Sequence, residues 1–213
     1  IHQLVSSINF TSSIRYCDDE DRYWIRDYIE GEVLADNIAD ITQTTLSLMI
    51  EQLKALHQVP VKIELPEINI SDKAEAYWQI IASQQPDNDV LKMKPLMQIS
   101  MSEPPAGNFC LCHLDPVLAN WLYTSEGLQL LDWEYAGMAH PLWDLAALFQ
   151  GIKYSIEEFI KKSPDNSRPQ IEQDLENNII SLYGVTDLVA WRRACFQMEY
   201  LSSLWYQAQG KTA

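Results

Sequence analysis

Residues 110–137, CLCHLDPVLANWLYTSEGLQLLDWEYAG, constrain the fold of this chain more than any other stretch. Inside this stretch, NWLYTSEGLQLLDW is typical of a strand, a polar turn and a second strand. A hairpin folds back on itself, so it brings Asp132, at the end of the second strand, beside Asn120, at the start of the first. Asp115 lies in the loop just before the hairpin. The pattern therefore predicts that three oxygen-bearing side chains lie together at the open end of the hairpin.

These side chains suit a site for magnesium and phosphate. Mg²⁺ prefers oxygen ligands, takes few of them from the protein and fills its other positions with phosphate and water. Asn120 and Asp132 would supply such ligands, which leaves Asp115 to accept a proton from a substrate hydroxyl. His113, two residues before Asp115, is expected to orient the loop.

Composition limits the partners of such a site. The formal net charge of −15 argues against nucleic-acid binding, which needs Lys and Arg against phosphates, and suits either a cationic small substrate or simple solubility. Cys110 and Cys112 flank one residue in a strand-like run and match no zinc motif, so reduced thiols are expected. No signal peptide and no membrane-spanning run are visible, which predicts a cytoplasmic protein without a membrane partner. The oligomeric state stays open.

The rest of the sequence predicts an α+β order. Strands are expected at 7–16 and 22–29, joined by the polar turn CDDED, and helices at 40–57 and at 71–83 with Ser71 as N-cap. A short helix is expected within 84–108. Further helices are predicted at 140–152 (HPLWDLAALFQGI), 155–162 (SIEEFIKK), 169–182 and 186–209, with SPDNSRP as a linker.

The H-x-D-x-x-x-x-N spacing, followed by a hairpin and an aspartate, resembles the catalytic and metal-binding segments of the protein-kinase-like fold. The run LLDWEYAGMAHPLWDLAALF at 130–149 is similar to small-molecule kinases of the aminoglycoside phosphotransferase and choline kinase family. Bacterial thiamine kinase belongs to that group and carries a closely similar run. The resemblance is specific at 113–145 and weak elsewhere.

The resemblance implies an ATP-dependent phosphotransferase with ATP and Mg²⁺ as cofactors. Asp115 matches the position of the catalytic base, with His113 in the same catalytic loop. Asn120 and Asp132 match the magnesium ligands, and Asp144 matches a carboxylate that braces the loop.

The nucleotide side follows from the same resemblance. The segment RDYIEG resembles the hinge between the two lobes of the fold. The backbone near Asp27, Tyr28 and Ile29 would then face the adenine, and Leu130 or Leu131 would pack under its ring.

The expected architecture is a truncated β-rich N-terminal lobe, residues 1–31, followed by a mostly helical C-terminal lobe, residues 32–213. The family's phosphate-covering loop and strand lysine do not precede the hairpin in this sequence. Either they lie outside these 213 residues, or the protein is a degenerate member that binds nucleotide without catalysis, a pseudokinase.

The acceptor is expected to be a small cationic metabolite. Thiamine is preferred because EAYWQ at 75–79 resembles a stretch of thiamine kinase; choline or ethanolamine and aminoglycosides are the alternatives. Glu134, Trp205 and Tyr206 are candidate acceptor contacts, since aromatic faces and carboxylates bind permanent cations. A metal phosphoesterase with His113 and Asp115 as ligands is a weaker hypothesis, because His2, His57 and His140 form no second metal motif.

Overall fold

The computed structural model describes residues 5, 11, 13–18, 20, 22–85, 91–92, 94, 101, 105, 107–162 and 174–210. The strands are β1 (Ile14–Cys17), β2 (Trp24–Arg26), β3 (Glu32–Val33), β4 (Cys110–Cys112), β5 (Trp121–Thr124), β6 (Gly127–Leu130) and β7 (Gly137–Ala139). The α-helices are α1 (Gln43–His57), α2 (Ile70–Gln84), α3 (Pro141–Lys162), α4 (Leu175–Tyr183) and α5 (Leu188–Ala208). Two 3₁₀ segments, Leu34–Asp40 and Leu118–Asn120, precede α1 and β5. Small antiparallel sheets at the start of the chain and between α2 and α3 thus accompany a mostly helical body, which confirms the predicted α+β class.

The amino-terminal hairpin is antiparallel, as predicted, but its described strands are shorter than the sequence suggested. β1 pairs with β2 through Ile14↔Arg26 and Cys17↔Trp24, with an irregularity between residues 14 and 16. The predicted strand residues 7–10 and 12 lie outside the described part of the chain.

Helix α1 buries the face that its apolar spacing predicts. It begins after Thr42, whose side chain accepts a hydrogen bond from the amide of Thr45, so the predicted start at residue 40 was too early. The buried residues of α1 are Leu46, Met49, Ile50, Leu53 and Leu56.

Two boundaries differ from the prediction for physical reasons. Asn69, not Ser71, caps helix α2, because its side chain accepts from the amide of Ser71. The two helices predicted at 140–152 and 155–162 form the single helix α3, since Ile152 and Ile156 continue its buried face without a break.

The carboxyl-terminal helices also lie where the sequence suggested. α4 and α5 begin later than predicted, at Leu175 and Leu188, and α5 packs along both α2 and α3. Residues 163–173, with the predicted linker, and most of the helix expected within 84–108 lie outside the described residues. None of the described helices is long and apolar enough to cross a membrane.

Two further small sheets hold the catalytic segment. β5 and β6 form the predicted hairpin, and β3 adds to its other edge through Glu32↔Tyr123. The linker just before β3 passes so close that a Cβ on Gly31 would lie 2.8 Å from the carbonyl oxygen of Tyr123. The antiparallel pair β4 and β7 lies at the entrance and exit of this segment, with Cys112 opposite Gly137.

Candidate active site

The hairpin brings Asn120 and Asp132 to the same end of the sheet. Trp121 pairs with Leu130, and the amide of Leu131 donates to the carbonyl of Asn120 at 2.8 Å. Asp132 is the next residue along the chain and is exposed. Its φ of +62° is in the left-handed region, which turns the chain away from β6.

The amide of Asn120 is oriented by two acceptors on Asp115. Its Nδ2 donates to the backbone carbonyl of Asp115 at 2.8 Å and to the carboxylate Oδ2 at 3.0 Å. Because Nδ2 is fixed toward Asp115, Oδ1 of Asn120 is directed elsewhere and can serve as a metal ligand. An amide oxygen beside an exposed carboxylate is the donor set that Mg²⁺ takes, so Asn120 and Asp132 fit that ion.

Asp115 lies in a partly desolvated and acidic environment. Burial raises the pKa of Asp115 to about 6, and the charges of Asp132 and Glu134 add to this effect. The hydrogen bond from Asn120 acts in the opposite direction and lowers this pKa. A carboxylate with a pKa of about 6 is mostly ionised at neutral pH and can accept a proton there. A pKa near the working pH is what an efficient general base requires.

His113 is hydrogen-bonded to the backbone on both sides of its ring. Its imidazole is completely buried, Nε2 donates to the carbonyl of Leu131 at 2.8 Å, and Nδ1 accepts the amide of Asp115 at 3.2 Å. Burial lowers the pKa of His113, so the ring is neutral with its proton on Nε2. Since both ring nitrogens are engaged with the backbone, His113 is not placed to ligate a metal, which argues against the phosphoesterase hypothesis.

Asp144, in the first turn of α3, holds the start of the loop. Its completely buried carboxylate accepts the amides of His113 at 2.9 Å and Leu114 at 2.5 Å. It also contacts Nε2 of His57, at the end of α1, at 3.0 Å. Leu114 has a φ of +66°, a left-handed conformation that an L-residue adopts at a cost, and the Asp144 clamp holds it there. The bracing role expected of Asp144 is confirmed, whereas the sequence did not indicate that His57 joins it.

Apolar residues anchor the remainder of the loop. Leu118 is 1% exposed, and the indole of the buried Trp121 donates to the carbonyl of Pro116 at 3.0 Å. Val117 packs so close to α3 that a Cβ on Gly151 would lie 2.9 Å from its Cγ1. Burial therefore explains why residues 116–118 of the loop are apolar.

Four aromatic side chains lie on this side of the site: the charge of Asp115 or Glu134 acts on three tyrosines, and the ring of a tryptophan contacts one of them. We call them the aromatic wall: Tyr77 of α2, Tyr135 after β6, and Trp205 and Tyr206 of α5. Burial raises the pKa of Tyr77 and of Tyr206, and the charge of Asp115 contributes to both shifts. Burial also raises the pKa of Tyr135 to about 12, helped by the charge of Glu134. The rings of Trp205 and Tyr206 meet edge to face with their centroids 5.1 Å apart.

The structure adds residues to this region that the sequence did not single out. Tyr135 lies in the run DWEYAG and Tyr77 in EAYWQ, but neither pattern by itself indicates that its tyrosine approaches the site. The ammonium of Lys73 lies 4.9 Å from the centre of the Tyr135 ring, and burial lowers the pKa of Lys73 against the opposing charge of Glu134. A cation is thus already accommodated on this aromatic face.

The nucleotide-side candidates lie on both hairpins. The amide of Asp27 donates to the carbonyl of Ser13, and its carboxylate accepts from Arg15 at 2.7 Å. Tyr28 is 91% exposed, whereas Ile29 is half-buried. Leu130 is completely buried in the core and Leu131 is half-buried, so Leu131 is the leucine of this pair whose side chain reaches the surface.

Comparison with known proteins identifies the family. The model of the phosphotransferase enzyme family matches residues 12–169. No curated protein matches the chain.

Several solved kinases have similar structures at low sequence identity. A choline kinase from Streptococcus pneumoniae has a TM-score of 0.71 and 21% identity, over 98% of this chain and 71% of that chain. An ethanolamine kinase from Plasmodium vivax has a TM-score of 0.68 and 16% identity, over 99% of this chain and 65% of that chain. The gentamicin complex of APH(2″)-IIa has a TM-score of 0.62 and 15% identity, over 99% of this chain and 78% of that chain. The Streptococcus choline kinase has also been solved with AMP, with a TM-score of 0.58 and 22% identity, over 95% of this chain and 76% of that chain.

These solved structures share the kinase-like fold, and the family model spans the whole of the loop, the hairpin and helix α3. The chain belongs to the phosphotransferase enzyme family.

Proposed function

We propose that this protein transfers the γ-phosphoryl group of ATP to the hydroxyl of a small cationic metabolite. The observation that carries the proposal is the position of Asp115. Its carboxylate accepts a hydrogen bond from the oriented amide of Asn120 and interacts electrostatically with Glu134 and with Tyr77 of the aromatic wall. ATP bound through magnesium and a cationic alcohol bound on the acceptor side can therefore both lie next to the carboxylate of Asp115.

The nucleotide is assigned to the side where the hinge meets the β5–β6 hairpin. We place it between the lobes formed by residues 1–31 and 32–213, with the backbone near Asp27, Tyr28 and Ile29 facing the adenine. Leu131 is a better candidate than Leu130 for the contact under the ring, because only Leu131 reaches the surface. The AMP complex of the similar choline kinase supports a nucleotide as the donor.

Asp115 acts as the base toward the acceptor hydroxyl. When bound, magnesium would neutralise phosphate charge, with Asn120 and Asp132 as its protein ligands. Asp115 accepts the hydroxyl proton as the alcohol oxygen forms its bond to the γ-phosphorus and the bond from that phosphorus to the β–γ bridging oxygen breaks, which releases ADP. His113 and Asp144 hold the loop, so that the carboxylate is in place before the substrates arrive.

The aromatic wall favours an acceptor with a quaternary nitrogen. Aromatic faces attract a permanent cation that has no N–H to donate, whereas polyamines such as aminoglycosides are bound mainly by carboxylates. Thiamine and choline both satisfy this requirement. Thiamine remains our preferred acceptor because Tyr77, in the stretch that resembles thiamine kinase, interacts electrostatically with Glu134 and Asp115. Choline or ethanolamine is the alternative that the similar kinases suggest.

An acceptor panel tests this function directly. The protein is incubated with ATP and Mg²⁺ and with thiamine, choline, ethanolamine or kanamycin, and ADP and the phosphorylated product are measured. We expect the highest kcat/KM with an acceptor that carries a quaternary nitrogen. Nucleotide binding without turnover on any acceptor would favour the pseudokinase alternative and overturn the enzymatic proposal.

The acceptor side can be separated from the catalytic step with Glu134→Gln. This change removes one charge beside the aromatic wall and leaves Asp115 and both metal ligands in place. We expect a rise in the acceptor KM of about tenfold with a smaller change in kcat, since a carboxylate close to a cation contributes roughly 1–2 kcal/mol. The matched control is Glu126→Gln in the exposed β5–β6 turn, which should leave both constants unchanged.

A further inference from the structure

A cluster of metal-ligating side chains lies behind the catalytic loop, outside the site described above. His57 ends helix α1, and Cys110 and Cys112 are the first and last residues of β4. One ligand atom from each of these three residues lies within 4.8 Å of the others. His57 and Cys112 are 55 positions apart in the sequence, so only the fold brings the three residues together.

The two sulfur atoms already have the spacing of metal ligands. Residues two apart in a strand face the same side, and Sγ of Cys110 lies 3.7 Å from Sγ of Cys112. Zinc–sulfur bonds of about 2.3 Å in a tetrahedral arrangement separate two thiolates by about 3.8 Å. The observed distance fits this value and is far longer than a disulfide bond.

His57 is hydrogen-bonded to a carboxylate, as the histidine ligands of zinc sites commonly are. Nε2 of His57 contacts the buried carboxylate of Asp144 at 3.0 Å, which fixes the ring and places a proton on this nitrogen. Nδ1 contacts the hydroxyl of Tyr183 at 2.8 Å, a partner that can rotate away when a cation takes its place. A carboxylate that holds the far nitrogen of a histidine ligand is a recurrent feature of zinc sites.

The cluster is accessible to solvent through one open pocket. His57, Cys110 and Tyr183 line a pocket of about 530 Å³, which gives an ion a route of entry. Lys54 also lines this pocket, but a divalent cation bound by two thiolates forms a neutral group that this ammonium does not repel. The net charge of −15 favours the approach of cations in general.

We propose that His57, Cys110 and Cys112 form a binding site for a thiophilic divalent cation, with zinc as the best fit. Binding displaces one proton from each thiol to solvent, and the resulting thiolates and the neutral Nδ1 of His57 donate to the metal. The fourth position is left to water from the pocket. Because Asp144 contacts both His57 and the amides of His113 and Leu114, the ion would tie helix α1 and strand β4 to the support of the catalytic loop.

The test uses the whole reduced protein with Co²⁺ and Zn²⁺ as the probes. Cobalt should bind at one equivalent and give the near-ultraviolet band of thiolate-to-cobalt charge transfer, which zinc then removes by displacement. Zinc should also raise the thermal unfolding temperature, since an ion bound only to the folded state stabilises it. Neither readout depends on phosphotransferase activity, so this site and the proposed function fail or succeed independently.

Matched cysteine variants locate the site. Cys110→Ser and Cys112→Ala should each lose the cobalt band and weaken zinc binding by more than the roughly 100-fold that changes in outer-shell partners cause. Cys17→Ser and Cys195→Ser change the other two cysteines and should retain both the band and the affinity. Unfolding of each metal-free variant is followed by circular dichroism, and Cys110→Ser, whose site is half-buried, is the variant least expected to unfold. Absence of a thiolate band in the reduced wild-type protein, or its persistence in folded Cys110→Ser, would overturn the proposal.

Discussion

The catalytic loop and the amino-terminal hairpin both depend on charged side chains, but these charges are in different surroundings. In the loop, the completely buried carboxylate of Asp144 accepts two backbone amides and contacts His57. In the hairpin, Arg15 and Asp27 form an ion pair whose side chains are 68% and 45% exposed. The loop is therefore held by contacts that water cannot replace, whereas the hairpin is held by contacts that water can replace.

This difference determines what each region can do. A buried carboxylate with three donors fixes its neighbours to a single arrangement, which suits residues that must align a base and metal ligands. An exposed ion pair contributes little to stability and allows adjustment, which suits a hairpin proposed to contact a nucleotide. The predictions below test this comparison, from the largest expected effect to the smallest.

The strongest test of the loop is Asp115→Ala. If Asp115 is the base of a preformed site, turnover should fall by about 10²- to 10⁴-fold, while nucleotide affinity should stay nearly unchanged. Steady-state kinetics and calorimetric ATP binding measure the two quantities. Turnover at the wild-type rate would refute the role of Asp115.

The second test concerns the clamp, through Asp144→Asn. Asparagine keeps the size of the side chain but removes its charge. One carboxylate oxygen becomes an NH₂ group, which cannot accept a hydrogen bond from the amides of His113 and Leu114. We expect a loss of about 3 kcal/mol in the free energy of unfolding, measured with urea, together with reduced turnover. A stability within error of the wild type would show that the buried contacts of Asp144 do not hold the loop.

The third test separates stability from activity at Asp115. The pKa of this carboxyl is about 6 in the fold and close to its ordinary value of 3.8 when the chain unfolds. The folded state thus holds the proton more tightly, and this group's contribution to stability is greatest below pH 4 and declines as the pH rises through 6. Asp115→Asn should therefore be more stable than the wild type by about 1–2 kcal/mol at pH 7.5 without metal, and the advantage should vanish near pH 4. An advantage that does not change with pH would have another cause.

The smallest effect is expected for Arg15→Ala in the hairpin. Removing one partner of a pair this exposed should leave the free energy of unfolding almost unchanged, and high salt should reduce even the small remaining difference. Urea denaturation at low and high salt measures both quantities. A loss comparable to that of Asp144→Asn would remove the contrast between the two regions.

The parts of the fold that local sequence patterns encode could be predicted. The turn TSEG and its flanking apolar residues specify the β5–β6 hairpin, and the spacing from Leu46 to Leu56 specifies the buried face of α1. The hairpin in turn predicts that Asn120 and Asp132 lie at the same end of the sheet. The roles assigned to Asp115, Asn120 and Asp132 remain predictions for the experiments above.

The rest depends on contacts between distant segments. Nothing near His57 in the sequence shows that its ring reaches Asp144, 87 residues later. Tyr77 and Tyr135 approach the carboxylates only because α2 and the segment after β6 are packed together with α5. The boundary between the two helices predicted at 140–152 and 155–162 was wrong because Gly151 and Ser155 resemble a break, whereas the close approach of Val117 requires glycine inside a continuous helix.

Two residues that frame the catalytic segment, Leu114 and Asp132, have a backbone conformation suited to the mirror-image amino acid. In a semisynthetic protein, a D-residue at position 114 would relieve the mismatch between backbone and chirality that the natural leucine bears. The same replacement would hinder any ordinary strand or helix elsewhere in the chain. The chirality of residue 114 thus offers a way to change the stability of the loop conformation without changing the chemical composition of any side chain.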